Sequence, residues 1–406
     1  MGVTGSDTST LDSLLKRFYT KAAIVDQQQF DPDFIDTLPK APEKPGGISA
    51  SVYMGVRLQR RQDGGAQLQA EQFRNNESGK YGQAVVSCKV NIWPIELTNF
   101  LIEAGKGNEY SFMSSLDSEM ADARRAGLKD GNRQAFGDGS GTLAYVNGTI
   151  AGSVSLVVDT PGVQYFFPGM RIDVYTSAGV AEALNVAISS IAESTLTLTL
   201  AQAVSVTDNS LIYKAGVYNT ADVNVTQKEM MGLSGIGDDT TPATFEGIAR
   251  GTYEIWKGTV VDASSASLTT DLLQRCSDKV ERRSGQNVET FVSHRNQRRN
   301  YLNLTVPKKR FMSDKMDDGF QVLEWNGFKW LVSHDCQKDT IYMYNKKAVE
   351  VFSMQSFDLD QSDGKILKHI PRTDTVEAYY KRYENIGSRH PSAVGKLKSL
   401  ATLTDY

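Results

Sequence analysis

The first hydrophobic pattern in the chain has the period of a helix. Apolar residues recur there at spacings of three and four positions: Leu11, Leu14, Leu15, Phe18 and Ala22. Several prolines follow between Pro32 and Pro45, and each fixes its own φ and pushes its predecessor toward extended geometry. Residues 1–45 are therefore predicted to form an N-terminal arm. Because an amphipathic helix on such an arm has little core of its own, we expect it to pack on a neighbouring copy.

Two extended runs come next, residues 49–58 and 84–93. Between them, residues 59–81 are polar and rich in Gln, Arg, Asn and Gly. The pattern predicts that residues 46–93 form a long β-hairpin whose tip projects into solvent or onto a partner. A plain surface loop is the alternative, although an unstructured loop of this length within a compact domain is uncommon and usually functional.

Residues 94–141 are predicted to hold a long helix. Pro94 stands where the helix begins, since its missing N–H costs nothing at the first helical position. Apolar residues continue to Ala123, apart from a pause at the glycines of 105–107. We expect one helix with a glycine break, or two in series, ending before Gly131.

The composition changes over residues 142–216, where Gly, Ser, Thr and Val dominate and charge is sparse. Short β-type runs separated by turn residues lie at 154–158, 171–175, 184–188, 195–200 and 211–213. Such spacing is typical of a small all-β sandwich or barrel. We interpret this stretch as a β domain inserted into a larger α+β protein.

Mixed structure returns over residues 217–406. A helix is predicted from Asp271, with Asp271 and Gln274 as a capping box and Gly285 just past its end. Asn326 and Gly327 separate two extended runs and predict a tight hairpin. A strand is predicted over residues 373–383.

Composition narrows the classes of function. The 406 residues carry 44 Lys and Arg against 48 Asp and Glu, a formal net charge of −4. Proteins that grip nucleic acid are usually basic, so this balance fits a wall that encloses DNA without tight binding. Cys88, Cys276 and Cys336 are odd in number and far apart, which fits a reducing compartment. No stretch approaches the roughly 18 apolar residues of a membrane span, so we expect no membrane partner.

Two motifs hint at metal chemistry. His334 and Cys336 lie two residues apart on a predicted strand, but a zinc site wants about four ligands in spaced pairs and no second pair exists. Asp358, Asp360 and Asp363 resemble the start of a calcium loop that lacks the glycine and glutamate of its later positions. A packed strand and a solvated acidic turn are simpler interpretations. We predict no catalytic, cofactor-binding or metal site, and no enzyme.

A basic run with interleaved aromatic residues lies further along the chain: Arg295, Arg298, Arg299, Tyr301, Lys308, Lys309, Arg310 and Phe311. Arginine and aromatic side chains together bind single-stranded nucleic acid in some proteins. The same residues also fit a helix face that forms ion pairs between subunits, or plain surface charge. The sequence leaves these three interpretations open.

Several segments, taken in order, resemble the major capsid protein family of tailed bacteriophages with the Hong Kong 97-type fold. The segments that carry the resemblance are residues 133–141, 230–236, 245–248, 252–257, 383–387, 390–391 and 395–397. The first is similar to the end of the family's long spine helix and its glycine turn, and the last three to the family's C-terminal pattern. Together they span about residues 45–400, apart from the β insertion.

The resemblance implies an α+β capsid fold. Residues 1–45 would be the N-terminal arm and 46–93 the extended hairpin loop that reaches over a neighbour. Residues 94–141 would give the spine helix and peripheral domain, 142–216 the inserted all-β domain, and 217–406 the axial domain with the rest of the peripheral domain.

The resemblance also implies a function: a structural subunit that self-assembles into hexamers and pentamers of the icosahedral head around a double-stranded DNA genome. Its implied partners are further copies of itself, a separate scaffolding protein, a portal and, where present, a decoration protein. It would assemble in the host bacterial cytoplasm and reside in the virion. The lysine, asparagine and glutamate of the family's isopeptide cross-link cannot be matched here, so we predict no such bond.

Three alternatives stand beside this interpretation. The first is an encapsulin-like nanocompartment shell, which has no need of a bulky insertion. The second is another virion protein, such as a tail or decoration protein, which the long helix and proline-rich arm disfavour. The third is an enzyme with a β accessory domain, which the search for chemistry disfavours.

Overall fold

A computed structural model describes residues 34–46, 50–61, 66, 69, 78–100, 109–159, 161–218, 228–305, 324–361 and 366–403. The described fold is α+β, as the sequence predicts. The helices are α1 (Phe34–Thr37), α2 (Glu109–Ala135), α3 (Leu233–Ile236), α4 (Thr270–Ser284) and α5 (Arg295–Thr305). The predicted helix at Leu11 to Ala22 and most of the predicted hairpin tip lie outside the described residues.

Twenty strands are assigned within the described residues. They are β1 (Ser51–Arg57), β2 (Tyr81–Ser87), β3 (Lys89–Thr98), β4 (Thr142–Tyr145), β5 (Ile150–Val157), β6 (Arg171–Tyr175), β7 (Ala181–Ala192), β8 (Thr197–Val206), β9 (Leu211–Lys214), β10 (Thr244–Phe245), β11 (Ile248–Ala249), β12 (Thr259–Asp262), β13 (Thr290–Ser293), β14 (Glu324–Trp325), β15 (Phe328–Val332), β16 (Ile341–Tyr344), β17 (Val349–Leu359), β18 (Lys368–His369), β19 (Thr375–Ser388) and β20 (Val394–Lys398).

The first two strands form an antiparallel hairpin, as predicted, but it ends at Ser87, because residues 89–93 of the predicted second strand lie in β3 and pair with β19. Ser51 pairs with Ser87 at its base and Arg57 with Tyr81 at the other end. Successive side chains of a strand point to opposite faces, and one face of this hairpin is apolar. That face enters the main core with its buried side chains, Val52, Met54, Ala84 and Val86. The opposite face is left to solvent.

Strand β19 lies at the centre of a second sheet, with β3 along one side and β17 and β18 along the other. The prediction that Pro94 begins a helix is wrong, because Pro94 lies within β3 opposite Tyr379 of β19. Strand β3 pairs on one side only among the described residues, and proline is tolerated on such an edge strand because no neighbouring strand there needs its N–H.

Helix α2 covers one face of this sheet, where Trp93, Ile95 and Tyr380 pack against the helix residues Met120 and Ala123. The prediction that the helix ends before Gly131 is also wrong, since α2 continues to Ala135. Glycine serves there as a packing residue. A Cβ on Gly131 would lie 2.0 Å from Arg382 Nη1, and one on Gly127 would lie 2.6 Å from the Phe357 ring.

A six-stranded sheet forms the centre of the C-terminal half, in the order β12-β20-β16-β13-β15-β14. Asn326 and Gly327 both have positive φ and join β14 to β15, so the predicted hairpin is confirmed. Helix α4 packs on this sheet. The expected capping box is wrong: the helix begins one residue earlier than predicted, and the Leu272 N–H donates to Thr269 Oγ1 at 3.2 Å. Gly285 ends the helix in the left-handed region, as predicted.

Six strands between residues 142 and 214 form a sheet of their own, in the order β4-β9-β6-β7-β8-β5. Val146 pairs with Val158 beyond the ends of β4 and β5, and this bridge closes the sheet into a barrel. At this junction the N–H of Asn147 donates to the Val157 carbonyl at 2.9 Å, and the N–H of Asp159 donates to the Tyr145 carbonyl at 2.8 Å. Its interior is filled by a separate cluster of aliphatic side chains that includes Leu156, Ile172 and Leu198. The sequence left sandwich and barrel open, and the structure shows a barrel.

The close approach of α2 to the sheet makes a stability prediction. Gly127→Ala would add a methyl group 2.6 Å from Phe357 and 3.1 Å from Trp93. Overpacking of this kind costs about 1–3 kcal/mol, which exceeds the gain of up to about 1 kcal/mol from placing alanine in a helix. We therefore expect a net loss of about 1–2 kcal/mol in the free energy of unfolding, measured by denaturant titration.

Gly251→Ala is the matched control, because a Cβ at Gly251 meets nothing within 4 Å. It is expected to change the free energy of unfolding by less than about 0.5 kcal/mol. Equal stability of Gly127→Ala and wild type would contradict the packing described for α2.

Candidate assembly site

The C-terminal end of α2 carries a buried cluster of charges. Arg133 donates two hydrogen bonds to Glu229, of 2.5 and 3.0 Å, and two to Asp130, of 2.9 and 3.1 Å. Lys214 of the barrel reaches Asp130 at 3.7 Å. The cluster therefore joins the helix, the barrel and the segment that follows the barrel.

Mutual compensation favours the charged forms of Arg133 and Asp130. Burial alone would lower the pKa of Arg133, but the charges of Glu229 and Asp130 raise it far above the ordinary value. Burial acts against ionised Asp130 as well, yet the Arg133 and Lys214 charges hold the pKa of this carboxyl below its usual range. Burial raises the pKa of Glu229 in spite of Arg133. Loss of the guanidinium would leave both carboxyls buried without their main partner.

Amide side chains beside the cluster bind three more segments. Asn132 accepts the backbone N–H of Phe34 at 2.8 Å, and its amide donates to Asp335 at 2.6 Å. Gln134 accepts the N–H of Met230 at 3.1 Å and pairs with Asn91 of β3. A single turn of α2 therefore holds the arm, β3, the barrel exit and the C-terminal half together.

The barrel is anchored to the C-terminal half as well. Tyr165 donates its hydroxyl to the carbonyl of Asp335 at 2.7 Å, and the Gln164 amide reaches the carbonyl of Cys336 at 3.4 Å. Burial raises the pKa of Tyr165 strongly, so the phenol stays protonated as a donor. At the barrel exit, Tyr218 stacks on Tyr175 with ring centroids 3.9 Å apart.

The two metal motifs take ordinary structural places. Cys336 is fully buried, and the ring of His334 lies 5.6 Å from that of His294. Asp360 binds Lys368 at 2.5 Å and Lys381 at 3.0 Å, while Asp363 lies outside the described residues. Among the residues that the structure describes, no group of three or more His, Cys, Asp or Glu is placed to hold a metal ion.

The structure describes only the first part of the basic run. Arg295, Arg298 and Arg299 lie on α5, and Tyr301 of the same helix is buried in the core beside Trp330. The rest of the run, Lys308 to Phe311, lies outside the described residues. Tyr301 is therefore a core residue. The three interpretations of the arginines stay open.

Exposed apolar side chains lie on two surfaces, the outer face of the hairpin and one face of β3. On the outer face of the hairpin, Tyr53 is 56% and Tyr81 70% exposed. On the sheet face opposite α2, Val90 is 62% and Ile92 48% exposed, and Pro94 continues the row. Strands that are apolar on both faces are typical of sheets covered on both sides. In the described part of the chain, helix α2 covers one face of this sheet and the other face is exposed. The exposed face of β3 and the outer face of the hairpin are therefore candidates for contact with another molecule.

The sequence did not predict the charged cluster, although Arg133 belongs to a segment that carried the family resemblance. Glu229 is 96 residues away from it in sequence, so no short spacing relates the two. The exposed strand face had a visible signal, since the alternating residues 90, 92 and 94 are apolar as well as 93, 95 and 97.

Comparison with solved structures decides the fold. The capsid protein of cyanophage A-1(L) aligns with a TM-score of 0.57 over 95% of this chain and 98% of its own, at 10% identity. The capsid protein of a native GTA particle aligns with a TM-score of 0.52 over 98% and 100%, at 9% identity. This is the Hong Kong 97-type capsid fold. No protein-family model and no curated protein sequence matches the chain.

The long helix predicted within residues 94–141 is present as α2. An encapsulin from Synechococcus elongatus also aligns, with a TM-score of 0.45 over the full chain at 9% identity. In the described part of the chain, no helix has the length and apolar character to cross a membrane.

Removing Arg133 tests the charged cluster at the C-terminal end of α2. Arg133→Met would leave Glu229 and Asp130 buried without their guanidinium, and breaking a buried pair in this way costs about 3–5 kcal/mol. Arg125→Met is the control on the same helix, because Arg125 lies 3.8 Å from Asp122 in an exposed pair. Exposed pairs contribute about 0–1 kcal/mol. Equal losses of unfolding free energy in the two variants would contradict the account.

Proposed function

We propose that this chain is the major capsid protein of a tailed bacteriophage, a shell subunit that assembles with copies of itself into hexamers and pentamers. The observation that carries the proposal is the capsid fold, aligned over 95% of the chain and 98% of a phage capsid protein. The particle would be an icosahedral head around double-stranded DNA.

The distribution of apolar surface supports this proposal. Tyr53 and Tyr81 stand outward on the hairpin, and Val90 and Ile92 stand outward on β3. Repeated contacts under closed symmetry bury such surfaces without a dedicated pocket. The hairpin that we propose reaches over a neighbour is fixed at its base by Val52, Met54, Ala84 and Val86, so its outer face is presented in a defined orientation.

The parts of the chain receive their roles within the same proposal. Residues 1–45 are the arm, 46–93 the extended loop, 94–141 the spine region, and 142–216 an inserted domain. Residues 217–406 supply the axial domain and the rest of the peripheral domain. Because the first and last strands of the inserted barrel meet each other, it would brace its neighbours through side chains and not by strand addition.

The proposal extends to partners and place. Scaffolding would be a separate protein, and a portal and a decoration protein would complete the head. Assembly would take place in the host bacterial cytoplasm, and the chain would reside in the virion. The formal charge of −4 supports enclosure of DNA without tight binding. We infer a structural and not a catalytic role.

Electron microscopy and size-exclusion chromatography of the purified chain test the proposal. Closed shells, capsomers or tubes are expected, with or without added scaffolding protein. A strictly monomeric species of 44.7 kDa under both conditions would contradict it.

The contact surface has its own test. Tyr53→Ser with Tyr81→Ser should reduce the yield of assembled particles about tenfold or more, since aromatic anchors at interfaces often contribute 2 kcal/mol or more. The melting temperature of the unassembled chain should stay within about 2 °C of wild type, because both side chains are exposed. Ile255→Ser is the control, since Ile255 is 50% exposed and belongs to a short 3₁₀ turn and not to the hairpin. Unchanged assembly of the double variant would remove this surface from the interface.

A further inference from the structure

Glu246 occupies an unusual position at the base of the hairpin. It lies in the two-residue turn between β10 and β11 with a φ of +51°, followed by Gly247 with a φ of +81°. The left-handed region suits glycine or asparagine and strains most other residues.

The turn joins two parts of the fold through one residue. The carbonyl of Glu246 accepts the N–H of Val85 in β2 at 2.9 Å. Its carboxyl oxygen Oε1 accepts the N–H of Ser388 at the end of β19 at 2.8 Å. Gly387 makes room for this contact, because a Cβ there would lie 2.9 Å from Oε1. The hairpin and β19 are therefore bridged by Glu246.

The second carboxyl oxygen is buried and has no hydrogen-bond partner among the described residues. A buried oxygen without a partner is tolerated far better on a neutral carboxylic acid than on a carboxylate. We propose that the Glu246 side chain is a proton-controlled latch that holds the base of the β1–β2 hairpin against β19.

The charged groups around Glu246 have other partners and do not take the place of a proton on its carboxyl group. Arg250 follows on the same turn element, but its guanidinium donates to the carbonyls of Thr241 and Ile236 and lies over the Phe245 ring. From the preceding loop, Asp238 and Asp239 act on Arg250. From the strands, Glu350 and Arg389 bind each other at 2.9 Å. Strand β2 brings no Asp, Glu, Lys or Arg. Burial raises the pKa of Glu246 to about 8, against the Ser388 amide and Arg250.

The sign of the pH effect follows from this shift. The carboxyl binds its proton more tightly when the latch is closed than when it is open, where an ordinary pKa near 4.5 applies. The contribution to closure is therefore complete below about pH 4.5 and is lost as pH rises to about 8. Between these limits the open fraction should rise about tenfold per pH unit. The latch lies within one chain and does not depend on the proposed shell function.

Hydrogen–deuterium exchange of the full chain tests the latch, with rates corrected for intrinsic exchange and the assembly state checked at each pH. In the wild type, protection of the Val85 and Ser388 amides should fall about tenfold per unit between about pH 5.5 and 7.5. Glu246→Gln keeps the acceptor for Ser388 and should give a flat profile. Glu193→Gln, at an exposed carboxyl of the barrel, should keep the wild-type slope.

Two outcomes would overturn the proposal. A flat wild-type profile would show that closure does not depend on a proton, and this measurement needs no variant to fold. A slope that persists in Glu246→Gln would assign the proton to another group. Neither outcome would bear on whether the chain assembles into shells.

Discussion

The packing of a single helical turn, residues 130–134 of α2, holds distant parts of this capsid fold in one arrangement. Arg133 is compensated in the interior by Glu229 and Asp130, and Arg133 is the main partner of both carboxyls. The neighbouring amides of Asn132 and Gln134 fix the arm, β3 and the barrel exit at the same point. A buried ion costs free energy when it is alone and much less when it is paired with an opposite charge. We therefore expect these segments to take up their positions together.

From this turn the helix runs back across a sheet that it covers on one side. Glycines at 127 and 131 let the helix approach Phe357 and Arg382 closely. The opposite face of the same sheet keeps Val90, Ile92 and Pro94 toward solvent, and the hairpin beside it keeps Tyr53 and Tyr81 outward. The described fold therefore has its own core and still leaves apolar side chains exposed at its surface. Assembly with further copies is the proposal that accounts for both features.

Local patterns predicted the parts of the fold whose causes are local. The run Arg171–Tyr175 became a strand with the predicted bounds, Asn326 and Gly327 made their turn, and Gly285 ended its helix. Pro94 and Gly131 were misinterpreted because each was given its usual local meaning, helix start or helix end. Their actual roles depend on residues more than 200 positions away, Tyr379 and Arg382. The charged cluster was not predicted from the sequence for the same reason, because Glu229 contacts Arg133 only in the folded chain.

The family resemblance added what local patterns lacked, the order of the segments, and the alignment with solved capsid proteins bears out the fold that it implied. It implied that residues 46–93 reach over a neighbour, but it did not identify the individual side chains that are candidates for such a contact or for control of the hairpin. Those came from exposure and from hydrogen bonding, as at Tyr81 and Glu246.

The most direct measurement of the central claim is oxidative footprinting of side chains, read by mass spectrometry, on assembled particles and on dissociated subunits of the same preparation. The account predicts that Tyr53, Tyr81 and Ile92 lose most of their reactivity in the particles, while the buried barrel residue Tyr213 reacts weakly in both. Equal reactivity of the hairpin and β3 residues in particles and free subunits would contradict the claim that these surfaces join neighbouring copies.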